Sequence, residues 1–315
     1  MASKMGMVCS LTIYFLLNIS TYIIMNTIND NFYTDFSLLY HFLLLFLCGF
    51  SFYLLLKTKK IGPGIMEKNS KGTLSLDEAN INNNETKSIS LSSSPLVITK
   101  SDLLVNDKCD ICNISNLPLR SHHCKKCGFC ILKFDHHCTF IGSCIGEDNH
   151  LIFVIFLFFQ NIAIILALYG LFKTISLFFI KYPNSMYSDI PSSIFFIIII
   201  LLFYFGYCIF LFFFHIYLIS TNQTTYEIFH KKKCPYLNIF KMERIKILNE
   251  RGIEVKPTFA YNPFDSGIVN NIKLFIGKCF KKKNYKINWE SIYFENLKTN
   301  NIYRNLCDNE YWSCF

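Results

Sequence analysis

Four long stretches of the chain are apolar almost without interruption, and polar segments separate them. The first runs from about Leu11 to Met25 and the second from Phe36 to Leu56. The third runs from Leu151 to Ile180 with Lys173 as its one charge, and the fourth from Ile194 to Ile219 inside SSIFFIIIILLFYFGYCIFLFFFHIYLIS. An α-helix rises 1.5 Å per residue, so roughly 20 apolar residues cross a bilayer core about 30 Å thick. The last three runs reach that length; the first is marginal but has apolar neighbours on both sides. As buried core helices, stretches this poor in charge would need a very large soluble protein around them. The pattern therefore predicts four membrane-spanning helices. The first is expected to be retained, since MNTINDNFY follows it where a cleaved leader would carry a small-x-small site.

Charge orients these helices. Of the 31 Lys and Arg, 12 lie in residues 57–150 and 16 in residues 220–315. The loop Asn26–Asp35 has none, and Lys181–Ser193 has only Lys181. Cytoplasmic flanks collect Lys and Arg, so both large polar segments and both termini are expected in the cytosol. The formal net charge of +9 then faces anionic lipid. Nucleic-acid binding is not expected, because the charge is scattered and tied to membrane spans.

From about Glu67 to Asp107 the composition changes. EANINNNETKSISLSSSP is rich in Asn and Ser and lacks an apolar period, which reads as a disordered linker. No internal repeat of the solenoid kind is present. The tail after Ser220 mixes aromatic and charged residues. PTFAYNPFDSGIVNNIKLFIG is too apolar for a disordered tail, and short helices lying on the membrane face are expected there.

Seven of the 14 cysteines fall between Cys109 and Cys144, in CDICNISNLPLRSHHCKKCGFCILKFDHHCTFIGSC. On the reducing cytosolic side such a density favours metal binding or catalysis over disulfides. Cys109 with Cys112, and Cys124 with Cys127, form C-x2-C pairs that each supply two thiolates to a tetrahedral zinc. Single cysteines follow at 130, 138 and 144, and histidines stand at 122, 123, 136 and 137. Two Cys3His sites need eight ligands, and eleven candidates are present. One cysteine and two histidines remain over. Cys138 is the best candidate for the extra cysteine, because Asp135, His136 and His137 directly precede it. An Asp that accepts from a His fixes its tautomer, and a His beside a thiol can take its proton to give the reactive thiolate.

The block resembles the cysteine-rich domain of the DHHC-type protein S-acyltransferases, or palmitoyltransferases. The likeness covers RSHHCKKCGFCILKFDHHC and the later cysteine, then Gly146 and Asn149 in CIGEDN. It extends to TTYE, Thr224–Glu227, which looks like the family's TTxE. NPFDSGIVNNIKLFIG is similar to its membrane-proximal motif, with Asn271 in the place of the characteristic Asn. The resemblance implies Cys109, Cys112, His123 and Cys130 for one structural zinc, and Cys124, Cys127, His137 and Cys144 for the other. It implies a two-step reaction. Cys138 attacks a long-chain acyl-CoA thioester with His136 as base and Asp135 orienting it, and the acyl group then passes to a cysteine of a membrane-proximal protein. Arg120 is the candidate for the CoA phosphates, and Thr225 is expected to bond near Asp135.

The expected architecture is mostly α: a four-helix transmembrane protein with a cytosolic two-zinc domain between spans 2 and 3. Spans 1 and 2 occupy residues 1–56, the linker 57–107, the catalytic domain 108–150, spans 3 and 4 151–219, and the cytosolic tail 220–315. Implied partners are acyl-CoA as co-substrate, cytosol-facing membrane-associated proteins and the bilayer; the membrane is endomembrane or plasma membrane. The sequence departs from the family in four places. Cys112 to Pro118 is one residue longer than usual, Leu117 replaces a basic residue, Thr139-Phe140 replaces Pro-Trp, and Gly142 and Ser143 replace asparagines. An inactive zinc-stapled adaptor of the same fold is the main alternative; a RING-type ligase fits poorly, because the block ends in single cysteines. Outside the block, Cys9, Cys48 and Cys208 read as apolar fillers, Cys234 in KKKCPY as a further candidate for acylation, and His215 as a buried, hydrogen-bonded residue.

Overall fold

Ser37 starts the first long helix: its hydroxyl accepts from the Tyr40 N–H at 3.3 Å, filling one of the donors a helix start leaves open. This helix, α1 (Leu38–Ile61), ends with Lys59 and Lys60 in its last turn, where cations favour the helix dipole. The computed structural model describes residues 21–23, 25, 36–66, 108–114, 117–238, 240–242, 262–280, 287–298, 308–309 and 312–313. Two more long apolar helices follow, α2 (His150–Lys181) and α3 (Ser192–Ser220). All three are long and apolar enough to cross a membrane. They coincide with the second, third and fourth apolar runs. The first run lies outside the described residues except for Thr21–Ile23 and Met25.

α1 packs on α2, and α2 on α3. Tyr40, Leu44, Ile164, Leu171, Ile194 and Leu201 form the core between them. A second core lies where α1 ends and α2 begins, built from Leu54, Leu55, Ile141, Ile145, Phe153 and Phe156. The outward faces are equally apolar: Leu38 is 86% and Phe203 79% exposed. A helix that is apolar all round suits a hydrocarbon solvent, in which its backbone is satisfied internally.

The cysteine-rich block sits between α1 and α2. It holds two antiparallel hairpins of three-residue strands, β1 (His122–Cys124) with β2 (Phe129–Ile131), and β3 (His136–Cys138) with β4 (Ser143–Ile145). The chain leaving α1 is stitched to the first hairpin: Leu132 N–H donates to Gly64 O at 2.9 Å, and Met66 N–H to Cys130 O at 3.0 Å. Residues 57–66 are ordered, as the end of α1 and a short pairing segment, and residues 67–107 lie outside the described residues. Gly146 lies under this crossing, where a Cβ would collide with the Pro63 carbonyl oxygen. Asn149 ties the junction together, donating to Thr58 O and Cys144 O and accepting from Gly146 N–H.

Beyond α3 come a short helix, α4 (Thr225–Phe229), and the longer α5 (Ile268–Phe280) and α6 (Trp289–Lys298). The last carbonyls of a helix have no partner inside it. Here the tail supplies them: Asn271 Nδ2 donates to Ser220 O at 2.7 Å, and Asn262 Nδ2 to Thr221 O. Asn222 Nδ2 returns a bond to Phe264 O at 2.8 Å. Asn271 thus earns its place as a fastener between the tail and the end of α3. Phe264, Trp289, Tyr293, Tyr236 and Leu119 close a third core between the tail and the cysteine-rich block.

Candidate active site and metal centres

Strand alternation sorts the residues of the Asp-His-His-Cys stretch. Successive side chains of a strand point to opposite faces, so His136 and Cys138 share one face of β3 while His137 takes the other. The register places His137 opposite Cys144, and in the first hairpin His123 opposite Cys130. Each pair meets a C-x2-C turn. His123 Nδ1 lies 3.5, 3.2 and 3.8 Å from the sulfurs of Cys109, Cys112 and Cys130. His137 Nδ1 lies 3.6, 3.3 and 3.5 Å from those of Cys124, Cys127 and Cys144. Tetrahedral zinc, with Zn–S about 2.3 Å and Zn–N about 2.0 Å, requires S···N edges of about 3.5 Å. The two Cys3His clusters therefore fit two zinc ions. Their cysteines are free of disulfides. The order C-x2-C, His, six residues, Cys occurs in both sites, so the block is a repeated ligand pattern with interleaved halves. Sequence reading missed this repeat, although its spacing was visible.

Of the seven block cysteines, six belong to these clusters and Cys138 to neither. Cys138 is partly buried, against the core of Ile141, Ile145 and Phe156 with Phe140 beside it. Gly142 closes the β3–β4 turn at φ +66°, donating its N–H to Cys138 O at 2.9 Å. Gly and Asn both tolerate that left-handed conformation, so glycine serves there as well as asparagine.

Asp135 is buried and accepts three hydrogen bonds: from Thr225 N–H at 2.8 Å, from Thr225 Oγ1–H at 2.9 Å, and from His136 Nδ1 at 2.7 Å. Burial opposes its ionisation, but the bond from His136 and the charge of that imidazole prevail and hold the carboxyl well below the usual range. An ionised carboxylate only accepts, so Nδ1 of His136 carries a hydrogen, and Nε2 remains for proton exchange. Burial likewise depresses His136, but the bonds to Asp135 and Cys138 overcome it and push its pKa up to about 10. The site favours a His136 that holds a proton. The contact expected between Thr225 and Asp135 is present.

The rest of TTYE has two further tasks. Thr224 caps α4, its hydroxyl accepting from Glu227 N–H at 3.1 Å while Glu227 Oε2 accepts from Thr224 N–H at 2.9 Å. Glu227 also grips Arg120, with Nε–Oε1 at 2.8 Å and Nη2–Oε2 at 2.7 Å. This corrects the expectation for Arg120. Its guanidinium has no exposed surface, and two more donors go to Asn222 Oδ1 and Asn222 O. The Phe264 and Trp289 rings pack against it, their centroids 4.2 and 4.5 Å from its central carbon. Four of its five N–H groups are committed, and a soluble phosphate cannot reach it. Cys234, too, is buried and offers no open thiol.

Lys133 and Asn222 were missed in the sequence. Lys133 is buried 3.2 Å from Asn222 Oδ1 and lies over the Trp289 ring; burial, then Arg120, push it down to about 7. Arg120, Lys133 and Asn222 all have positive φ (70°, 42° and 49°). Such conformations cost about 1–3 kcal/mol each when the surroundings enforce them. Three of them meeting at one amide mark a junction shaped for the catalytic loop, and only the Asn carries a recognisable signal.

The fold and site define a class: three helices long and apolar enough to cross a membrane, with an Asp-His-Cys centre beside two clusters that fit zinc. Residues 105–232 match the DHHC palmitoyltransferase family. A Dictyostelium discoideum protein named as a ZDHHC-type palmitoyltransferase is 33% identical over 203 residues, 63% of this chain and 41% of that protein. Palmitoyltransferase ZDHHC15 of Xenopus laevis is 37% identical over 38% of this chain and 35% of its own length. An Arabidopsis thaliana protein named as protein S-acyltransferase 15 is 35% identical over 44% of this chain and 54% of its own. The chain thus spans about half, or less, of the length of these relatives. The similarity to the DHHC palmitoyltransferase family is carried by residues 105–232.

Proposed function

We propose that the chain is a protein S-acyltransferase that forms an acyl-enzyme on Cys138 and passes the acyl group to cysteines of membrane-proximal proteins. The observation that carries this reading is the one cysteine of the Cys109–Cys144 block left outside both metal clusters, on the same strand face as a His136 held by a buried, three-fold bonded Asp135. The zincs, held by Cys109, Cys112, His123 and Cys130 and by Cys124, Cys127, His137 and Cys144, clamp the two hairpins and take no part in the chemistry. In the first step the Cys138 proton passes to His136, and the thiolate attacks the thioester carbonyl of an acyl-CoA. The carbon–sulfur bond to CoA breaks, and the CoA thiolate leaves with a proton. In the second step the substrate cysteine gives up its proton and its thiolate attacks the acyl-Cys138 thioester. Cys138 is released as thiolate and is reprotonated. Asp135 keeps His136 in the tautomer both steps need, and Thr225 keeps Asp135 in place.

The donor is a long-chain acyl-CoA such as palmitoyl-CoA. The Ile141, Phe153 and Phe156 core beneath Cys138 supports this, since each CH2 removed from water is worth about 0.8 kcal/mol. With Arg120 interior, the CoA phosphates are assigned to a cavity of about 360 Å³ beside Asp135 and His136, with Lys125, Lys126, His230 and Lys233 in its wall. The zinc domain, the tail and both termini face the cytosol, with the first apolar run as a fourth span. Thr224, Thr225, Glu227 and Asn271 hold the site without touching substrate. The intact catalytic residues favour this reading over an inactive adaptor. The test is incubation of the purified chain in lipid with labelled palmitoyl-CoA and a membrane-anchored cysteine peptide. Label should reach the peptide; an adaptor would leave it unlabelled.

A further inference from the structure

Behind the Asp135–His136 pair lie two imidazoles that the reaction above does not use. His150 opens α2 and His215 lies near the end of α3, and they are 4% and 1% exposed. Polar side chains within membrane spans are expensive, and a Leu or Phe would fill either place more cheaply. Nε2 of His150 lies 2.8 Å from Nδ1 of His215. A neutral imidazole has one N–H and one bare nitrogen, so this contact holds a single hydrogen and couples the two tautomers. If His150 donates, His215 carries its own hydrogen on Nε2; if His215 donates, its Nε2 is bare.

His215 also faces the reactive pair. Its ring centroid is 5.9 Å from that of His136. One of its ring nitrogens lies within 4.8 Å of an Asp135 oxygen and of a His136 nitrogen, a spacing wide enough for one bridging water molecule. Nδ1 is taken by His150, which leaves Nε2 as the atom His215 can offer. Phe153 packs edge-on to both rings, at 5.1 Å from His215 and 5.9 Å from His136, and Phe275 of α5 packs edge-on to His150 at 5.2 Å.

We propose that His150 and His215 are positioning residues of the acyl-transfer site: His215 steadies the Asp135–His136 pair in its reacting orientation, and His150 fixes the tautomer of His215. This rests on the reading of Cys138 as nucleophile and His136 as its base. Neither imidazole touches substrate, so acyl-CoA binding is untouched and the chemical step carries the effect.

The experiment uses the full chain in lipid and labelled palmitoyl-CoA, with three readouts: zinc per chain, half-saturating acyl-CoA, and the single-turnover rate of acyl-enzyme formation. His215→Phe keeps a ring of similar size and removes both nitrogens. It should keep two zincs and the half-saturating concentration while slowing acyl-enzyme formation by at least about tenfold. His215→Gln, with a polar group near the place of Nε2, should recover part of the rate. His150→Gln should likewise exceed His150→Phe. Because His150 acts through His215, the double Phe variant should be no slower than His215→Phe alone. A wild-type rate in His215→Phe, a loss confined to acyl-CoA affinity, or multiplying effects in the double variant would overturn the proposal. If His215→Phe lowers the zinc count, His150→Phe decides: a rate several-fold below wild type with two zincs supports the pair, and an unchanged rate overturns it. Failure of the underlying reading looks different, because the wild-type chain itself would then form no acyl-enzyme on Cys138.

Discussion

Glu227→Ala tests the structural assignment of Arg120. The substitution leaves a guanidinium with no exposed surface deprived of the two shortest of its four hydrogen bonds; only the Asn222 contacts remain. It also removes the partner of the Tyr236 hydroxyl at 2.9 Å and half of the Thr224 capping box. Breaking a buried ion pair from one side costs about 3–5 kcal/mol, which corresponds to about a hundred- to several-thousand-fold in the equilibrium between the docked and undocked tail. That is a large share of the roughly 5–15 kcal/mol that holds a typical domain folded. The assay is thermal unfolding in detergent, read with zinc release and acyl-enzyme yield. Glu227→Ala should unfold at clearly lower temperature and lose acyl-enzyme as Thr225 drifts from Asp135. Arg120→Met with Glu227→Leu, which removes both charges, should recover part of the stability. Arg120→Lys should resemble Glu227→Ala, since an ammonium cannot reproduce the two-pronged contact. The reasoning fails if Glu227→Ala unfolds as wild type, or if Arg120→Lys only weakens acyl-CoA binding at unchanged stability.

Other substitutions separate metal from chemistry. His137→Ala and Cys144→Ser should each lower the zinc content from two towards one per chain and destabilise the block, because zinc binding is coupled to folding; full zinc in either would break the ligand assignment. His136→Ala should keep both zincs and slow acyl-enzyme formation by about 10²–10⁴-fold; loss of zinc would mean that the two histidines are reversed. The pH dependence follows from the sign of the His136 shift. Its pKa rises from the ordinary value of about 6.5 to about 10 in the folded chain. Its stabilising contribution is therefore fully present below about pH 6.5 and is lost as pH rises through about 10. The stability gap between wild type and Asp135→Asn should narrow over that window, and a gap that widens would contradict the ion pair.

Much of the fold was legible because apolar length is a strong signal. Three predicted spans match the helices to within about five residues, and the largest error came where α1 runs on through Lys57–Ile61. Charged residues there hid a helix end that leaves the apolar layer. The two Cys3His clusters follow from C-x2-C spacing once the family resemblance chooses between adjacent histidines, and strand alternation in β3 gives the physical reason for the choice. Arg120 was misread because a guanidinium suits phosphate and carboxylate equally. Only the fold reveals Glu227, 107 positions away, as its partner. Lys133 and Asn222 carry their information in backbone conformation, and His150 and His215 in a contact across 65 positions, so neither pair stands out as a local pattern.

The most direct test of the central claim is to locate the acyl group. The purified wild-type chain, given palmitoyl-CoA and digested for mass spectrometry, should carry a hydroxylamine-sensitive palmitoyl group on Cys138 while holding two zincs. Cys138→Ser should hold two zincs and carry none, because a serine hydroxyl is far less acidic than a thiol and His136 cannot ionise it usefully. An acyl group formed at the same rate on Cys130, Cys144 or any other cysteine of the Cys138→Ser chain, or the loss of a zinc from that chain, would contradict the account.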